Sequence, residues 1–578
     1  TTALEIISER ASRHPDRPAI HASGTVLSYG QLEDTSSRIA SYLKGQGIGK
    51  GMRVAILLER DHLLPASILA LWKLGAAYVP LDPANPPERL RLILSDQAPI
   101  SVLASGSLAS LVPTAFPVID LDGFTTEPLT GDSFEGPRPD AAAYLIYTSG
   151  STGTPKGTSI SHEALGNFLM SMAESPGFTE ADRLLAVTTI SFDISCLEIF
   201  LPLVTGGTVE ITSVEQARDG TALKDVLNSS RPTVMQATPA TWRLLIEAGW
   251  QGCPDLKILC GGEALDLPLA RKLATMGCQL WNLYGPTETT VWSTCWRVPE
   301  SPEHIRIGVP IANTGLHVLS DSGEILPPGA TGELWISGNG LADGYWRNPE
   351  LTEERFRTIT NYEGCGIRAY QTGDLARWHA DGTMECLGRT DGQVKIRGFR
   401  VELGEIESIL NGHPDVSLAK VGLRQCASHD PRLVAWIKPA TADNWKMDSI
   451  RAYLADRLPS YMVPADLAMI SEFPLTSSGK VDINQLPTPD MESHVVTESM
   501  TPTERAMTEI WCELLGRGAV ALTDNWFHLG GHSLLALRLF SRIHQRFGCK
   551  LPLSAILEHP SPASLAAQVE LQSQSNAT

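Results

Sequence analysis

Short apolar runs that stop at glycine or polar loops recur through the first two thirds of the chain. RVAILLE at 53–59, AAYLIYT at 142–148 and DLKILCGGE at 255–263 are examples, and amphipathic stretches alternate with them. Each run suits one buried strand, so the alternation predicts an α/β layered core over residues 1–390. Ligands in such sheets sit beyond the carboxyl ends of the strands. Function is therefore expected in the loops after Tyr147, Cys260 and Leu283. A chain of 578 residues exceeds one core, which predicts several domains.

The pattern changes after residue 390. DGQVKIRGFRVELGEIESIL passes from strand alternation (Val394, Ile396) to helical spacing (Ile406, Ile409, Leu410), so 391–486 reads as a smaller α/β unit. Residues 487–501 are polar and rich in Pro, Ser and Thr, and read as a linker. Residues 502–578 read as all-helical. Thr501, Pro502 and Glu504 predict a capping-box start, with Met507, Ile510, Trp511 and Leu514 on one face. Ser561-Pro562 opens a last helix carrying Leu565 and Val569.

The formal net charge of -19 argues against an electrostatic nucleic-acid binder, although ATP needs only a local positive site. Ten scattered cysteines without a CxxC argue against zinc and for a reducing cytosol, hence a cytoplasmic location. No apolar run is long enough to span a bilayer, and no membrane association is expected. The chain begins at Thr1, as a fragment of a longer polypeptide or a processed product would.

Two runs carry the chemistry. YTSGSTGTPKG at 147–157 follows an apolar strand directly. Glycines let backbone N–H groups approach phosphate oxygens, and Thr148, Ser149, Ser151, Thr152 and Thr154 add hydroxyls. Lys156 supplies a cation; Pro155 before it rules out a Walker A loop. At the other end, GGHSLLA at 530–536 presents Ser533 at a helix start, suited to a phosphodiester. A hydrolase elbow would need GxSxG, and Leu535 breaks it. A phosphate loop and a tethering serine on one chain suggest activation followed by transfer.

The sequence resembles an adenylation domain of a nonribosomal peptide synthetase, in the adenylate-forming superfamily, fused to a peptidyl carrier (thiolation) domain. The resemblance rests on YTSGSTGTPKG and on runs in family order: LSYGQL at 27–32, WKLGAAYVPLD at 72–82, FDISCLEIF at 192–200, NLYGPTETT at 282–290, GELWISGNGLADGYWRNPELT at 332–352, YQTGDL at 370–375, GRTDGQVKIRGFRVELGEIE at 388–407, LPSYMVP at 458–464 and SSGKVD at 477–482. DNWFHLGGHSLLALRLF at 524–540 is similar to a carrier. The resemblance implies a large N-terminal multi-sheet domain, a small mobile C-terminal α/β subdomain and an all-α four-helix carrier. It also implies ATP, Mg²⁺ and 4′-phosphopantetheine on Ser533 as cofactors.

Residue roles follow from the same resemblance. Thr148, Ser149, Gly150, Ser151, Thr152 and Lys156 would cradle phosphates. Tyr284 would stack on adenine, beside Asn282 and Gly285. Thr287 would contact the α-phosphate, and Glu288 would hold Mg²⁺. Asp374 would bind the ribose hydroxyls, with Arg389 near the phosphates or ribose. Lys480 would bridge the substrate carboxylate and the nucleotide as charge is shared between them. Asp391 would be the hinge: one orientation brings in Lys480 for adenylation, the other brings in the loop around 392–399 for thioester formation. Cys386 stands where many relatives carry an aromatic residue.

Asp193 at the substrate pocket would pair with a protonated α-amine, which favours an amino acid over a fatty or aryl acid. The pocket set is Asp193, Ile194, Leu197, Gln236 (or its neighbour Ala237), Leu259, Gly261, Leu283, Val291, Trp292 and Lys480. It leaves little volume and resembles glycine-type pockets, so glycine is expected first and alanine next. The resemblance further implies a phosphopantetheinyl transferase, neighbouring condensation or thioesterase domains and a small helper protein as partners, in antibiotic or siderophore biosynthesis. An acyl-CoA ligase using free CoA, or a non-catalytic scaffold, are the competing readings.

Overall fold

The computed structural model of the chain describes all residues except 98–100, 125–133, 151–153, 277–278, 362–363, 391–392, 397–398, 426–430, 441–446, 475–480, 482, 488–499, 528, 532, 550, 553–554 and 576–578. The three apolar runs are strands, at Arg53–Leu57, Ala142–Thr148 and Lys257–Gly261. Lys257–Gly261 lies inside a nine-stranded sheet between the parallel strands Val234–Ala237 and Gln279–Tyr284. The other two belong to a seven-stranded sheet. There Ala142–Thr148 turns back through the phosphate loop into the antiparallel strand Lys156–Ser161.

Helices Leu63–Lys73 and Ser195–Thr205 share one core with strands of both sheets. Leu64 to Lys73 and Ser195 to Val204 are buried without a break, as expected of helices covered on every side. Trp72 sits 4.6 Å from the Phe200 ring, and its indole N–H donates to the Ala143 carbonyl at 2.9 Å. This packing fixes Ser195–Thr205, and with it Asp193 at its entry. The helix stops at Gly206, whose φ of +89° suits glycine. A five-stranded antiparallel sheet completes the large unit and pairs Asp374 with Arg389 in register.

The small unit opens with the hairpin Gln393–Ile396 and Phe399–Glu402, followed by helix Leu403–Asn411. The predicted switch from alternation to helical spacing falls there. Ile406 and Leu410 are fully buried against the sheet Val416–Gln425, Pro431–Pro439 and Asp466–Met469.

Four helices, Pro502–Leu515, Ser533–Phe547, Ala555–Glu558 and Pro562–Ser575, form the last unit around their own core. The predicted capping box is present: Glu504 N–H donates to Thr501 Oγ1 at 3.1 Å and Thr501 N–H to Glu504 Oε2 at 2.8 Å. Met507, Ile510, Trp511 and Leu514 are buried on one face, and Leu565 and Val569 close the core. Among the described residues no helix is long and apolar enough to cross a membrane.

Candidate active site

Strand ends assemble the first corner. Tyr284 ends strand Gln279–Tyr284 and donates its hydroxyl to Asp374 Oδ2 at 2.5 Å. Arg389 reaches Asp374 Oδ1 at 3.0 Å and the Thr372 carbonyl at 3.0 Å. Asn282 donates to the Arg306 carbonyl at 2.7 Å. Gly285 leaves no room for a Cβ, which would lie 2.5 Å from the Val291 carbonyl oxygen. Tyr284, Asn282, Asp374, Arg389 and Cys386 all line one cavity of about 2250 Å³.

Ser149 and Gly150 of the expected phosphate loop bond to the small unit. Ser149 Oγ donates to the Arg400 carbonyl at 2.8 Å and accepts from Glu402 N–H at 3.2 Å. Gly150 N–H donates to Glu405 Oε2 at 3.2 Å. Glu405 is also paired with Arg89 at 2.8 Å, and both side chains are almost fully buried. Thr148 Oγ1 is buried without a hydrogen-bond partner among the described residues, a donor suited to a phosphate oxygen.

Glu288 is fully buried, yet burial does not keep it protonated. Arg400 grips both its oxygens, at 3.0 and 2.8 Å, Tyr345 donates its hydroxyl at 2.7 Å and Lys156 lies 3.4 Å away. Burial pushes this carboxyl up, but the charges of Arg400 and Lys156 outweigh it and hold it well below the usual carboxylate range. Burial and the Arg400 charge lower Lys156 to about 8 against the pull of Glu288. A buried carboxylate is the oxygen donor Mg²⁺ prefers. Here Arg400 holds the carboxylate that was expected to bind Mg²⁺.

The residues expected to bind the acid are apolar apart from Asp193 and Gln236 among those described. Asp193 is buried, and burial raises its carboxyl to about 6, opposed by a hydrogen bond from Thr287 and reinforced by the Glu288 charge. Thr287, expected at the α-phosphate, thus faces Asp193. Ile194, Leu197, Leu259, Leu283 and Val291 are buried as well, and of the expected pocket set Leu283 and Trp292 line the cavity. Trp292 is 1% exposed and packs over Gly261, where a Cβ would come within 2.6 Å of the indole. Gln236, expected to face substrate, is fully buried with its amide turned to Trp292, Ile194 and Glu198.

Serine 151, Thr152, Asp391 and Lys480 lie outside the described residues. The hairpin orientation is nevertheless evident. Phe399 stacks 6.0 Å from Phe192 and 3.9 Å from Tyr461, and the Lys395 ammonium stands 5.9 Å from the centre of the Tyr284 ring. Of the 392–399 loop expected for thioester formation, Lys395 and Phe399 thus lie against the large unit.

The carrier closes the cavity. Its helix Ser533–Phe547 begins at Ser533, the serine expected to carry the attachment, and Gly530, Gly531 and Leu535 line the same cavity as Tyr284 and Trp292. Arg538 pairs with Glu247 of the large unit, through Nε to Oε2 at 2.9 Å. Arg517 pairs with Asp466 of the small unit at 2.5 Å.

Residues 7–346 match the family model for an AMP-binding enzyme. The chain belongs to that family. Residues 405–480 match the AMP-binding enzyme C-terminal domain, and 505–569 match a phosphopantetheine attachment site. The chain is 40% identical over 577 residues to a dimodular nonribosomal peptide synthase of Bacillus subtilis (strain 168), covering 98% of this chain and 24% of that one. It is 38% identical over 578 residues to tyrocidine synthase 3 of Brevibacillus parabrevis, covering 98% and 9%. The chain thus spans less than a quarter of the length of each of these relatives.

Among solved structures, a holo two-domain synthetase with adenylation and carrier domains bound to a vinylsulfonamide inhibitor matches with a TM-score of 0.84. That match is at 25% identity over 99% of this chain and 96% of the other. A holo four-domain nonribosomal peptide synthetase bound to AMP and glycine matches with a TM-score of 0.64 at 38% identity, over 99% and 43%. This AMP-binding enzyme is therefore an adenylation domain of the nonribosomal peptide synthetase kind with a fused carrier. The expected fold class and cofactors (ATP, Mg²⁺, 4′-phosphopantetheine) stand with it.

Sequence reading missed Arg400, Glu405, Arg89, Tyr345 and Glu198. Arg400 and Glu405 fall within the quoted GFRVELGEIE run, but their partners lie more than a hundred residues away. No local periodicity signals such pairs.

Proposed function

We propose that this chain activates an amino acid, glycine first and alanine next, as an aminoacyl-adenylate and loads it onto its own carrier. The observation that carries this is one cavity walled by the nucleotide corner, the hairpin of the small unit and the first turns around the carrier serine. Glycine is supported by Trp292 closing over Gly261, and by the related four-domain synthetase bound to AMP and glycine.

Asp193 anchors the ammonium of the amino acid, whose own charge compensates the buried carboxylate. A carboxylate oxygen of the bound amino acid then forms a bond to the α-phosphorus of ATP as the bond to the bridging oxygen breaks, and pyrophosphate leaves. Positioning and charge neutralisation supply most of the rate. Lys480 bridges the two anions, Asp374 and Arg389 hold the ribose end, and Tyr284 and Asn282 hold the base. Magnesium on Glu288 would supply charge neutralisation at the phosphates. 4′-Phosphopantetheine on Ser533 would supply the acceptor thiol, and AMP would be the leaving group of that transfer.

The arrangement with Arg400 on Glu288 and Glu405 on Gly150 N–H suits the second step. Arg400 stands on the carboxylate that would hold the metal, and Glu405 on the Gly150 N–H that would meet a phosphate, so this seating of the hairpin would exclude both. The fused carrier at the cavity disfavours free CoA as acceptor. A phosphopantetheinyl transferase and neighbouring synthetase domains are the partners this function requires.

Amino-acid-dependent exchange of labelled pyrophosphate into ATP, across a panel of amino acids, tests the reading. Glycine is expected to give the highest exchange. No exchange with any amino acid overturns it.

A further inference from the structure

Gln236 is read from the sequence as a pocket lining residue. Its surroundings define another role. The side-chain amide has one acceptor and two donor hydrogens. The acceptor oxygen takes the Trp292 indole N–H at 2.8 Å. The donors go to the Ile194 carbonyl at 2.9 Å and to Glu198 Oε1 at 3.2 Å. Indole N–H can only donate, and the carbonyl and carboxylate can only accept, so one orientation of the amide satisfies all three partners. No capacity of its nitrogen is left for a substrate.

Glu198 is itself held. Its Oε2 accepts from the backbone N–H groups of Val187 and Thr188, each at 2.9 Å, and its Oε1 accepts from the Thr188 hydroxyl at 2.5 Å. Burial raises this carboxyl against those hydrogen bonds, so the donors are what make a group fully enclosed here acceptable. Glu198 is a rigid post, and Gln236 a strut from that post to the indole. The strut also grips Ile194, next to Asp193, and so sets the spacing between the ammonium anchor and the indole.

Trp292 is constrained from the backbone side as well. Thr290 and Val291 take φ values of +62° and +65°. Left-handed backbone is rare for β-branched residues, and two in succession mark a feature held by its surroundings. Thr290 Oγ1 donates to the Gly340 carbonyl at 2.7 Å, and Thr289 and Ser293 share a hydrogen bond at 2.6 Å on either side of the turn.

We infer that Glu198 and Gln236 are positioning residues that fix Trp292 as the plug of the acid pocket, and that this strut rather than any contact of Gln236 with substrate sets the limit on side-chain size. The inference deepens the glycine reading and rests on it. A looser indole admits one more methyl group, the discrimination a pocket of this kind makes by about 10- to 200-fold.

The test is pyrophosphate exchange with glycine, alanine and serine for the full chain and two variants, Gln236→Met and Trp292→Phe. Methionine keeps volume and removes all three hydrogen bonds; phenylalanine keeps a ring and removes the N–H. Each is expected to raise the alanine-to-glycine ratio of kcat/KM by about tenfold or more, carried by a fall in the KM for alanine. The double variant is expected to do no more than Trp292→Phe alone, because without the indole N–H the strut has nothing to hold; the smaller ring accounts for any excess of Trp292→Phe over Gln236→Met. A ratio within twofold of the parent in whichever variant folds overturns the inference, as does full additivity. Failure of the glycine reading looks different: the unaltered chain would then prefer a larger amino acid before any substitution is made.

Discussion

Asp193 shows how one buried carboxylate ties selectivity to pH. Burial raises it to about 6, so the empty pocket is partly protonated in mildly acidic solution. In the proposed function the ammonium binds the ionised form. The KM for amino acid is therefore expected to climb as pH falls below about 6 and to be flat above about 7, measured by exchange at saturating ATP. The sign for stability is opposite to that of a paired aspartate. A native pKa above the unfolded value means the native state binds the proton more tightly, so ionisation at neutral pH costs stability that returns as pH falls through the native pKa. Asp193→Asn is expected to leave the melting temperature unchanged or higher while lowering glycine-dependent exchange by about 100-fold or more. A lower melting temperature with near-normal exchange would contradict this.

At the scale of elements, strand Phe399–Glu402 and helix Leu403–Asn411 stand on Ser149 and Gly150, where the proposed reading would put nucleotide phosphates. Glu405 on Gly150 and Arg400 on Glu288 are charge-assisted contacts made in buried surroundings. Removing one partner of a buried pair costs about 3–5 kcal/mol because the other charge is left uncompensated. Glu405→Ala strands Arg89 in this arrangement. Carrier loading is expected to fall by tenfold or more, while pyrophosphate exchange stays within about threefold. Equal losses in both would assign Glu405 to the adenylation step instead. Hydrogen exchange adds an independent readout: protection of residues 399–402 is expected to drop when magnesium pyrophosphate is added to the unaltered chain. Arg400→Met is expected to show low protection from the start and no further response.

At the scale of the whole molecule, the carrier touches both other units at once. The Arg538–Glu247 pair is well exposed, so its own contribution is small, roughly 0–1 kcal/mol. Reversal of one charge is a stronger perturbation than its removal, because repulsion replaces attraction. Arg538→Glu is expected to slow loading by about three- to tenfold without altering exchange, and Glu247→Arg in the same chain to restore most of it. Ser533→Ala is expected to abolish protein-bound aminoacyl thioester with exchange intact. Persistent label on protein in that variant would place the attachment elsewhere.

Residue types and their order were enough for the layers and for the chemistry carried by single loops. Buried runs ending in glycine marked strands whose carboxyl ends bear Thr148, Gly261 and Tyr284, and the Thr501–Glu504 capping box and the apolar face after it were legible because both are local. The burial of Asp193 was legible because the residues flanking it are apolar. The role of Gln236 was not, since an amide can face a ligand or a neighbour equally well, and the choice belongs to an indole 56 positions along. The hairpin orientation was equally hidden. It rests on contacts such as Arg89 with Glu405, 316 residues apart, that form only once the two units have folded and met. Local pattern encodes which elements exist; partners brought together by folding settle where buried charges and amides point.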